Sequence, residues 1–251
     1  MATADVTPVE GHGLAGQRVV VIGGSAGIGL ETARRVRAEG ADVLPTGRNV
    51  DRLKQAATQL GVDRFAAFDA TDPASIERFF KEVPGQVDHV MVTAGRPHYG
   101  RLADLSYDEL RRTLDEHFVT TVEVARHAPG KVRSGGSLVF MGGTGSRRPA
   151  LGLVIASTVT AAMPALIANL ALELAPIRVN LIAPGFVDTP LSASLLGDEL
   201  DRRRRQLRDT LPIGRVVGPA DVAALAVHLM TNTAITGATF DIDGGQQFVA
   251  A

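Results

Sequence analysis

The glycines of one short stretch, residues 23–29, are the residues whose type and spacing point most clearly to chemistry. They follow β-branched residues at 19–22, which predict a buried strand, and they lead into apolar residues at helical spacing. The first amides of such a helix point outward without partners, and the positive end of the helix dipole lies behind them. The stretch therefore predicts a seat for a pyrophosphate, with a purely structural turn as the alternative.

Charged residues follow the next two predicted strands, and ligands of open α/β sheets bind beyond the carboxyl ends of the strands. Arg48 stands where an NAD site would place an acid against the ribose 2′-hydroxyl. A guanidinium suits a 2′-phosphate instead, so the sequence favours NADP(H) over NAD(H); an ordinary arginine at a helix start is the alternative. Asp69 is predicted to lie beside the adenine, and Asp72 to cap the helix that begins at Pro73.

Strand and helix patterns alternate along the chain, which predicts βαβ units and a parallel sheet. We expect an α/β fold with a single-domain, Rossmann-type doubly wound sheet of about seven parallel strands and helices on both faces. Residues 1–15 are predicted to form an N-terminal tail and 16–251 a single dinucleotide-binding domain, in which 186–210 is irregular apart from a short helix that carries an arginine run. Strands are expected near 18–22, 42–46, 64–68, 87–92, 136–141, 177–182 and 238–242, and helices near 27–39, 49–60, 73–82, 105–127, 152–174 and 219–230.

The composition narrows the class of protein. The 251 residues include 26 Lys and Arg against 27 Asp and Glu, so the overall charge does not indicate a nucleic-acid or membrane partner. There is no cysteine, and the histidines show no metal-ligand spacing, so no metal site is predicted. No secretory signal pattern opens the sequence, and we expect a cytoplasmic protein. The uncharged stretch 151–172 could span a bilayer by length, but its proline, asparagine and hydroxyl residues favour a buried helix that a second subunit could cover.

Several motifs together resemble the short-chain dehydrogenase/reductase superfamily over roughly residues 14–246. The motifs are Gly23-x-x-x-Gly27-Ile28-Gly29, Asp69, Ala94-Gly95, Arg178-Val179-Asn180 with Ala183-Pro184-Gly185, and Asp243-Gly244-Gly245. The resemblance implies one doubly wound domain, a nicotinamide cofactor across its carboxyl edge, a small-molecule substrate, and a homodimer or homotetramer built on the helices near 105–127 and 152–174. The cofactor-binding residues that we expect are Gly23, Ser25, Gly27, Ile28, Gly29, Arg48, Asp69, Ala70, Ala94, Gly95, Thr160, Pro184, Gly185, Val187 and Thr189.

The sequence departs from that family at its catalytic positions. In the family a serine follows the fifth strand and orients the substrate. A tyrosine then exchanges a proton with the carbonyl oxygen, a lysine one helical turn later lowers the tyrosine pKa, and an asparagine in the preceding helix completes the set. In this sequence the flanking segments align without a gap, and the four positions hold Gly143, Ala156, Thr160 and His117.

The loss of the tyrosine–lysine pair does not depend on the alignment register. The tyrosines, Tyr99 and Tyr107, both precede the fifth predicted strand, and so does Lys131, the last lysine. No shift of a few residues recovers the pair. The family's route for proton transfer therefore has no carrier in this chain.

Hydride transfer itself is the chemistry of the cofactor, so a substitute acid could complete the site. His117 is the preferred candidate because it occupies the asparagine position, and His98 and Tyr99 are further candidates in the loop after the fourth strand. A structural role is the alternative for each. Thr160 could touch a ribose hydroxyl or bond its own helix, and Pro164 is expected to kink or loosen that helix.

Three functions are compatible with these observations. The first is an NADP(H)-dependent oxidoreductase of atypical mechanism, which transfers hydride to or from a small imine, iminium or carbonyl compound. The second is a catalytically inactive cofactor-binding sensor or partner subunit, and the third is a non-redox lyase or isomerase. We favour the first because the loops that form the pocket keep their full length.

Overall fold

Seven parallel strands form one sheet in the order β3-β2-β1-β4-β5-β6-β7, which confirms the predicted doubly wound fold. The computed structural model describes residues 13–249, so most of the predicted N-terminal tail lies outside the described residues. The chain order reverses between β1 and β4, and this switch point opens a crevice at the carboxyl ends of both strands. The strands are β1 (Arg18–Ile22), β2 (Asp42–Gly47), β3 (Ala66–Ala67), β4 (Val87–Val92), β5 (Val132–Met141), β6 (Arg178–Pro184) and β7 (Thr239–Ile242).

Helices connect the strands and cover both faces of the sheet. Two begin as the sequence predicts: Asp72 accepts the backbone N–H groups of Ala74 and Ser75 at the start of α3, and Asn49 accepts that of Arg52 at the start of α2. The helices are α1 (Gly27–Ala38), α2 (Val50–Leu60), α3 (Pro73–Glu82), α4 (Tyr107–Leu114), α5 (Thr120–His127), α6 (Val154–Glu173), α7 (Pro190–Leu196), α8 (Leu200–Thr210) and α9 (Pro219–Thr231).

The alternation of side chains along β1 explains the two apolar layers. Val20 and Ile22 face the layer that holds α3, α5 and α6, whereas Val19 and Val21 face the layer that holds α1 and α9. Every residue of β4 is buried as well, as a strand covered on both faces requires. The sheet is therefore a rigid base, and its carboxyl edge presents the loops that form the site.

Two regions differ from the sequence-based expectation. The segment 186–210 contains α7 as well as α8, because Thr189 caps α7 and Pro190 occupies its first turn. The helix expected at 105–127 is divided into α4 and α5 by a π-helical segment, Asp115–Val119. A π-helical segment carries one extra residue per turn and is common at functional sites, but no periodicity in the sequence marks it.

The apolar helix α6 continues from Val154 to Glu173 through Pro164 without a break. Among the described residues it is the one helix that is long and apolar enough to cross a membrane by length and composition. One face, with Val159, Met163 and Ile167, is buried against the sheet, whereas Leu172 is 80% exposed. The helix is therefore buried on one side only.

A histidine lies inside the sheet. Its side chain connects β4 with β5 and with the residue that precedes β1. His89 in β4 has Nε2 at 2.6 Å from Gln17 Oε1 and Nδ1 at 2.8 Å from Ser137 Oγ. Since an amide oxygen only accepts, Nε2 donates to Gln17 and Nδ1 accepts from the Ser137 hydroxyl. Burial lowers the pKa of His89 from 6.5 to about 4, so the ring is neutral in the folded protein.

We predict that His89 makes the stability of the fold fall in mild acid. The folded-state pKa of about 4 lies below the unfolded value of 6.5, so the stabilisation is complete above pH 6.5 and is lost as the pH falls toward 4. Between pH 6.5 and 5 this single group should lower the free energy of unfolding by about 2 kcal/mol. Urea unfolding at pH 7 and pH 5 measures the loss, which His89→Gln should abolish. His228→Gln, an exposed control on α9, should keep the wild-type difference; equal losses in both variants would contradict the assignment.

Candidate active site

A cleft of about 450 Å³ lies at the carboxyl ends of β1, β2 and β4. It brings together residues that are far apart in the sequence, because parallel strands all end at the same edge of the sheet. Of the residues that the sequence predicts to bind a cofactor, seven line this cleft: Gly23, Ser25, Arg48, Asp69, Ala70, Ala94 and Gly95. Further lining residues, which the sequence analysis did not select, are Thr46, Asn49, Arg52, Thr71, Thr93, Arg96, Glu116 and Leu191.

The three glycines of the turn have three different physical roles. Gly23 has φ +94° and lies so close to β4 that a Cβ would be 2.6 Å from Thr93 Oγ1. At Gly29 a Cβ would be 2.2 Å from the carbonyl oxygen of Gly23, so this glycine allows α1 to approach the strand. Gly27 has φ +54°, and the nearest atoms to a Cβ there would be 3.6 Å away, on Thr189. Gly27 thus supplies a left-handed backbone conformation that residues with a side chain rarely adopt, in van der Waals contact with Thr189.

The start of α1 has backbone N–H groups that no side chain caps, and Ala26, the residue before this helix, lines the cleft. Ala26 precedes the helix in an extended conformation, and within residues 13–249 no side chain caps it. The first turn contains no acidic residue, so nothing on the helix itself competes for its positive end. Ile28 follows Gly27, but its side chain packs against the apolar layer rather than lining the cleft.

Positive charge and polar groups surround the far end of the cleft. The Arg48 guanidinium is 69% exposed and lies 3.9 Å from the Asp69 carboxylate, and Arg52 on the first turn of α2 lines the same wall. Ser25 lies beside Gly47, where a Cβ would be 3.2 Å from its hydroxyl oxygen. A hydroxyl and two guanidinium groups therefore converge where β2 ends.

Thr46, at the end of β2, has a buried hydroxyl that finds no hydrogen-bond partner among the described residues. Its backbone carbonyl accepts the N–H groups of Gly23 and Gly24, which fixes it in the floor of the cleft. A buried hydroxyl without a partner costs free energy that a bound ligand would return. A threonine in a buried strand gives no such signal in the sequence.

The loop between β6 and α7 packs next to the glycine-rich turn, where Thr189 lies near Gly27. Gly185 lies close to the carboxy-terminal loop, where a Cβ would be 2.6 Å from Gln246 Oε1, and Gln246 also accepts the N–H of Phe186 at 2.8 Å. Thr189, which caps α7, contacts Gly27 as described above. The expected residues of this loop, Pro184, Gly185, Val187 and Thr189, flank the cleft and do not line it.

Three of the four positions that the family resemblance assigns to catalysis, Gly143, Ala156 and Thr160, come together. A Cβ at Gly143 would be 3.3 Å from Thr160 Cγ2, and the Ser157 hydroxyl donates to the Gly145 carbonyl at 2.9 Å. The Thr160 hydroxyl is 2.9 Å from the carbonyl oxygen of Ala156, to which it donates, and it is bound to its own helix as the alternative interpretation holds. This corner therefore contains small side chains and no titratable group at Gly143, Ala156 or Thr160.

His117 lies against the loop after β4. Its Nε2 is 3.1 Å from the carbonyl oxygen of Arg96, so Nε2 carries the proton and donates, and the ring lies beside Gly95, where a Cβ would be 3.3 Å from Cε1. Burial lowers the pKa of His117, which favours the neutral ring. A neutral ring held in this way has a lone pair on Nδ1 and no second proton to give.

Glu116, the neighbour of His117, is a buried carboxylate that the sequence analysis missed. Its Oε2 accepts the N–H of Arg96 at 3.0 Å and lies 3.3 Å from Nε2 of His98. The only signal in the sequence is an acid one residue before a candidate position, which is common on exposed helices. Among residues 13–249, no group of three or more His, Cys, Asp or Glu side chains could hold a metal ion.

Comparison with known proteins decides the family. Residues 23–247 match the family model described as "Enoyl-(Acyl carrier protein) reductase", and the relatives that match are short-chain dehydrogenases and reductases. The chain belongs to the short-chain dehydrogenase/reductase superfamily. This short-chain dehydrogenase/reductase shares 32% identity with the NADP-dependent (R)-specific alcohol dehydrogenase of Lentilactobacillus kefiri, over 92% of this chain and 97% of that protein. It shares 29% identity with the short-chain dehydrogenase/reductase ATR9 of Stachybotrys chlorohalonatus, over 92% and 96%.

Solved structures show the same fold for this short-chain dehydrogenase/reductase. A small-chain dehydrogenase in complex with NADPH superimposes with a TM-score of 0.80 at 29% identity, and the match covers 92% of this chain and 99% of that one. The MalC reductase/Diels-Alderase of Malbranchea aurantiaca superimposes with a TM-score of 0.87 at 25% identity, over 94% and 98%. The chain is thus a member of a family of oxidoreductases.

The residues of the cleft fit a dinucleotide. The uncapped start of α1 suits a pyrophosphate, and Thr46, whose hydroxyl has no partner among the described residues, lines the same cleft as Arg48. Such a cofactor needs donors for its phosphates and a floor without protruding side chains, and both are present.

We predict that Gly29→Ala strongly destabilises the protein, because the added methyl group would overlap the Gly23 carbonyl at 2.2 Å. Moving α1 away from β1 should cost roughly 3 kcal/mol or more of the free energy of unfolding. Thermal and urea unfolding measure this cost. Gly218→Ala is the matched control, since the nearest atom to its Cβ would be 4.0 Å away, and it should unfold like wild type. A Gly29→Ala protein as stable as the control would show that the contact is not tight.

Proposed function

We propose that this short-chain dehydrogenase/reductase binds NADP(H) in preference to NAD(H) and transfers hydride to or from a small organic substrate without a tyrosine–lysine pair. The observation that carries the proposal is the cleft itself, in which an uncapped helix start and an arginine lie at opposite ends of a glycine-lined floor. Relatives that bind NADPH or depend on NADP support the cofactor preference.

The cofactor would be held by groups with distinct tasks. The amides at Gly27 and its neighbours would bind the pyrophosphate, and Arg48 and Ser25 would bind the 2′-phosphate, with Asp69 and Ala70 beside the adenine. Ala94 and Gly95 would lie under the nicotinamide half, flanked by Pro184, Gly185, Val187 and Thr189. A ribose contact from Thr160 would require its hydroxyl to exchange a hydrogen bond within α6.

The missing pair narrows the reactions that suit this site. Bound NADPH supplies a hydride. Reduction of a carbonyl also leaves an alkoxide, and loss of a placed acid slows such a step by roughly 10²–10⁴-fold. An iminium carbon already carries the positive charge that the hydride neutralises, so it depends less on an acid. We therefore place imines and iminium ions first and carbonyl compounds second.

The alternative function is cofactor binding without turnover, as a sensor or as the partner subunit of an active relative. The observation that favours it is the corner of Gly143, Ala156 and Thr160, which holds no titratable side chain next to an otherwise complete cleft. Either function is compatible with a cytoplasmic homodimer or homotetramer. The exposed apolar side chains of Phe118 and Leu172, on the π-helical segment and on α6, would supply its interface.

Two measurements separate these functions. A thermal-shift titration with NADPH and NADH tests the cofactor, and we expect the larger stabilisation with NADPH. A screen of imines, ketones, aldehydes and alcohols at the nicotinamide absorbance then tests turnover. Stabilisation without any turnover would favour the sensor or partner subunit, and no stabilisation by either cofactor would refute both.

We predict that Arg48→Ala weakens NADPH binding about tenfold or more, because a charge-assisted hydrogen bond to the 2′-phosphate would be lost. NADH, which lacks this phosphate, should bind almost as before. Dissociation constants from the quenching of protein or cofactor fluorescence measure the difference. Arg205→Ala, an exposed arginine on α8, is the control and should leave both constants unchanged. Equal weakening of NADPH and NADH by Arg48→Ala would overturn the assignment of the 2′-phosphate.

A further inference from the structure

A buried carboxylate and a histidine form a pair at the edge of the cleft that the proposed function leaves unused. Oε2 of Glu116 lies 3.3 Å from Nε2 of His98, and the two side chains are only 8% and 13% exposed. Glu116 comes from the π-helical segment, and His98 comes from the loop after β4. The Arg96 N–H also donates to this carboxylate at 3.0 Å, which fixes the loop against the helix.

The hydrogen bonding of the pair sets the direction of the imidazole. A carboxylate oxygen accepts hydrogen bonds. Nε2 of His98 therefore carries a hydrogen and donates a hydrogen bond to Glu116. Nδ1 lies on the other side of the ring, and no hydrogen-bond partner for it is found among residues 13–249. A carboxylate on one ring nitrogen and a free second nitrogen is the arrangement in which a histidine transfers protons.

The position of His98 joins the two halves of the site. Gly95, three residues earlier, lines the cleft, and the N–H of Gly100, two residues later, donates to the carbonyl of Gly152 at 3.0 Å. Gly152 lies two residues before the start of α6 at Val154, the helix on which Ala156 takes the place of the family's tyrosine. The loop that carries His98 therefore spans from the cofactor end to the end where the family's proton donor would stand.

Three titratable side chains lie near His98. Glu116 of the π-helical segment is 3.3 Å from its Nε2, and Glu109 of α4 and His117 of the π-helical segment are further neighbours. The carboxylate in direct contact with the ring is that of Glu116, which makes it the group that orients the imidazole.

We propose that His98, held by Glu116, is the proton donor of the hydride-transfer reaction; this rests on the proposed function. Bound NADPH would supply hydride to the substrate carbon, and the π electrons of the C=O or C=N bond would become a lone pair on the substrate oxygen or nitrogen. His98 protonated on both ring nitrogens would give the Nδ1 proton to that lone pair and keep the Nε2 proton in its hydrogen bond to Glu116. The neutral imidazole regains a proton from water. In the oxidative direction the same nitrogen accepts the proton.

This assignment differs from the sequence-based candidate for a reason that the structure supplies. Nε2 of His117 donates to the Arg96 carbonyl, and burial lowers the pKa of this ring, so both its hydrogen bond and its burial favour the neutral form. His98 instead faces a carboxylate. The two histidines bind to opposite ends of one short backbone segment, since Arg96 supplies its carbonyl to His117 and its N–H to the carboxylate that holds His98.

The test compares four variants with wild type, using cyclohexanone, benzaldehyde and pyrroline as probe substrates and NADPH as the reductant. NADPH dissociation constants are measured first on every protein. His98→Gln should then lower kcat about 10²-fold or more with NADPH binding unchanged, and its dependence of kcat on pH should differ from that of wild type. Glu116→Gln keeps an acceptor for the Arg96 N–H but loses the charge, so it should give a smaller loss in kcat. His117→Ala should stay within a few-fold of wild type, as should the exposed control His228→Gln.

Other outcomes would overturn the assignment. A higher KM or weaker NADPH binding in His98→Gln, with an unchanged pH profile, would mean that His98 only shapes the loop. A loss of tenfold or more in His117→Ala beside an active His98→Gln would return the role to His117. Wild type that binds NADPH yet reduces none of the probes would refute the proton donor and leave the cofactor proposal intact. Failure to bind NADPH at all would refute the proposed function itself.

Discussion

The close approach of α1 to the end of β1 is the constraint on which the rest of the site depends. Gly29 lies against the Gly23 carbonyl, and Gly23 in turn lies against Thr93 of the neighbouring strand's loop, so three pieces of backbone meet with no side chain between them. The Thr93 hydroxyl is 3.2 Å from the carbonyl oxygens of Ile22 and Gly23, and it holds this meeting point together. The start of α1, which no side chain among residues 13–249 caps, is thereby held next to the end of β1. The position of this helix start is therefore a consequence of packing between backbones.

The loop after β4 connects this seat to the opposite half of the site. Gly95 has φ +113°, and a Cβ there would be 2.9 Å from the Glu116 carbonyl oxygen. The backbone of the loop therefore packs directly against that of the π-helical segment. The extra residue of the π-helical segment places Glu116 and His117 on either side of the Arg96 backbone. A buried carboxylate is costly unless its hydrogen bonds are satisfied, and the Arg96 N–H and His98 satisfy this one. The arrangement of the two histidines thus follows from how one loop and one irregular helical turn meet.

Other residues occupy the family's tyrosine and lysine positions within an intact frame. Gly143 and Thr160 meet at the end of β5, and α6 runs unbroken past Pro164, so the same elements bound the space at these positions. Gly143, Ala156 and Thr160 carry no titratable group there. The fold is therefore kept without the side chains of the pair.

The sequence by itself determined the architecture and several of the residues that line the cleft. The strand at 18–22, the glycine spacing, the cap at Asp72 and the arginine after β2 are local patterns, and each depends on residues only a few positions apart. The tertiary structure alone decided the roles that depend on contacts between distant segments. No periodic pattern in the sequence marks three of these features. They are the Thr46 hydroxyl without a partner among the described residues, the contact of Glu116 with His98 18 positions away, and the hydrogen bond of His117 to Arg96 21 positions away. They arise because parallel strands bring every connecting loop to one edge, where packing sets which side chains meet.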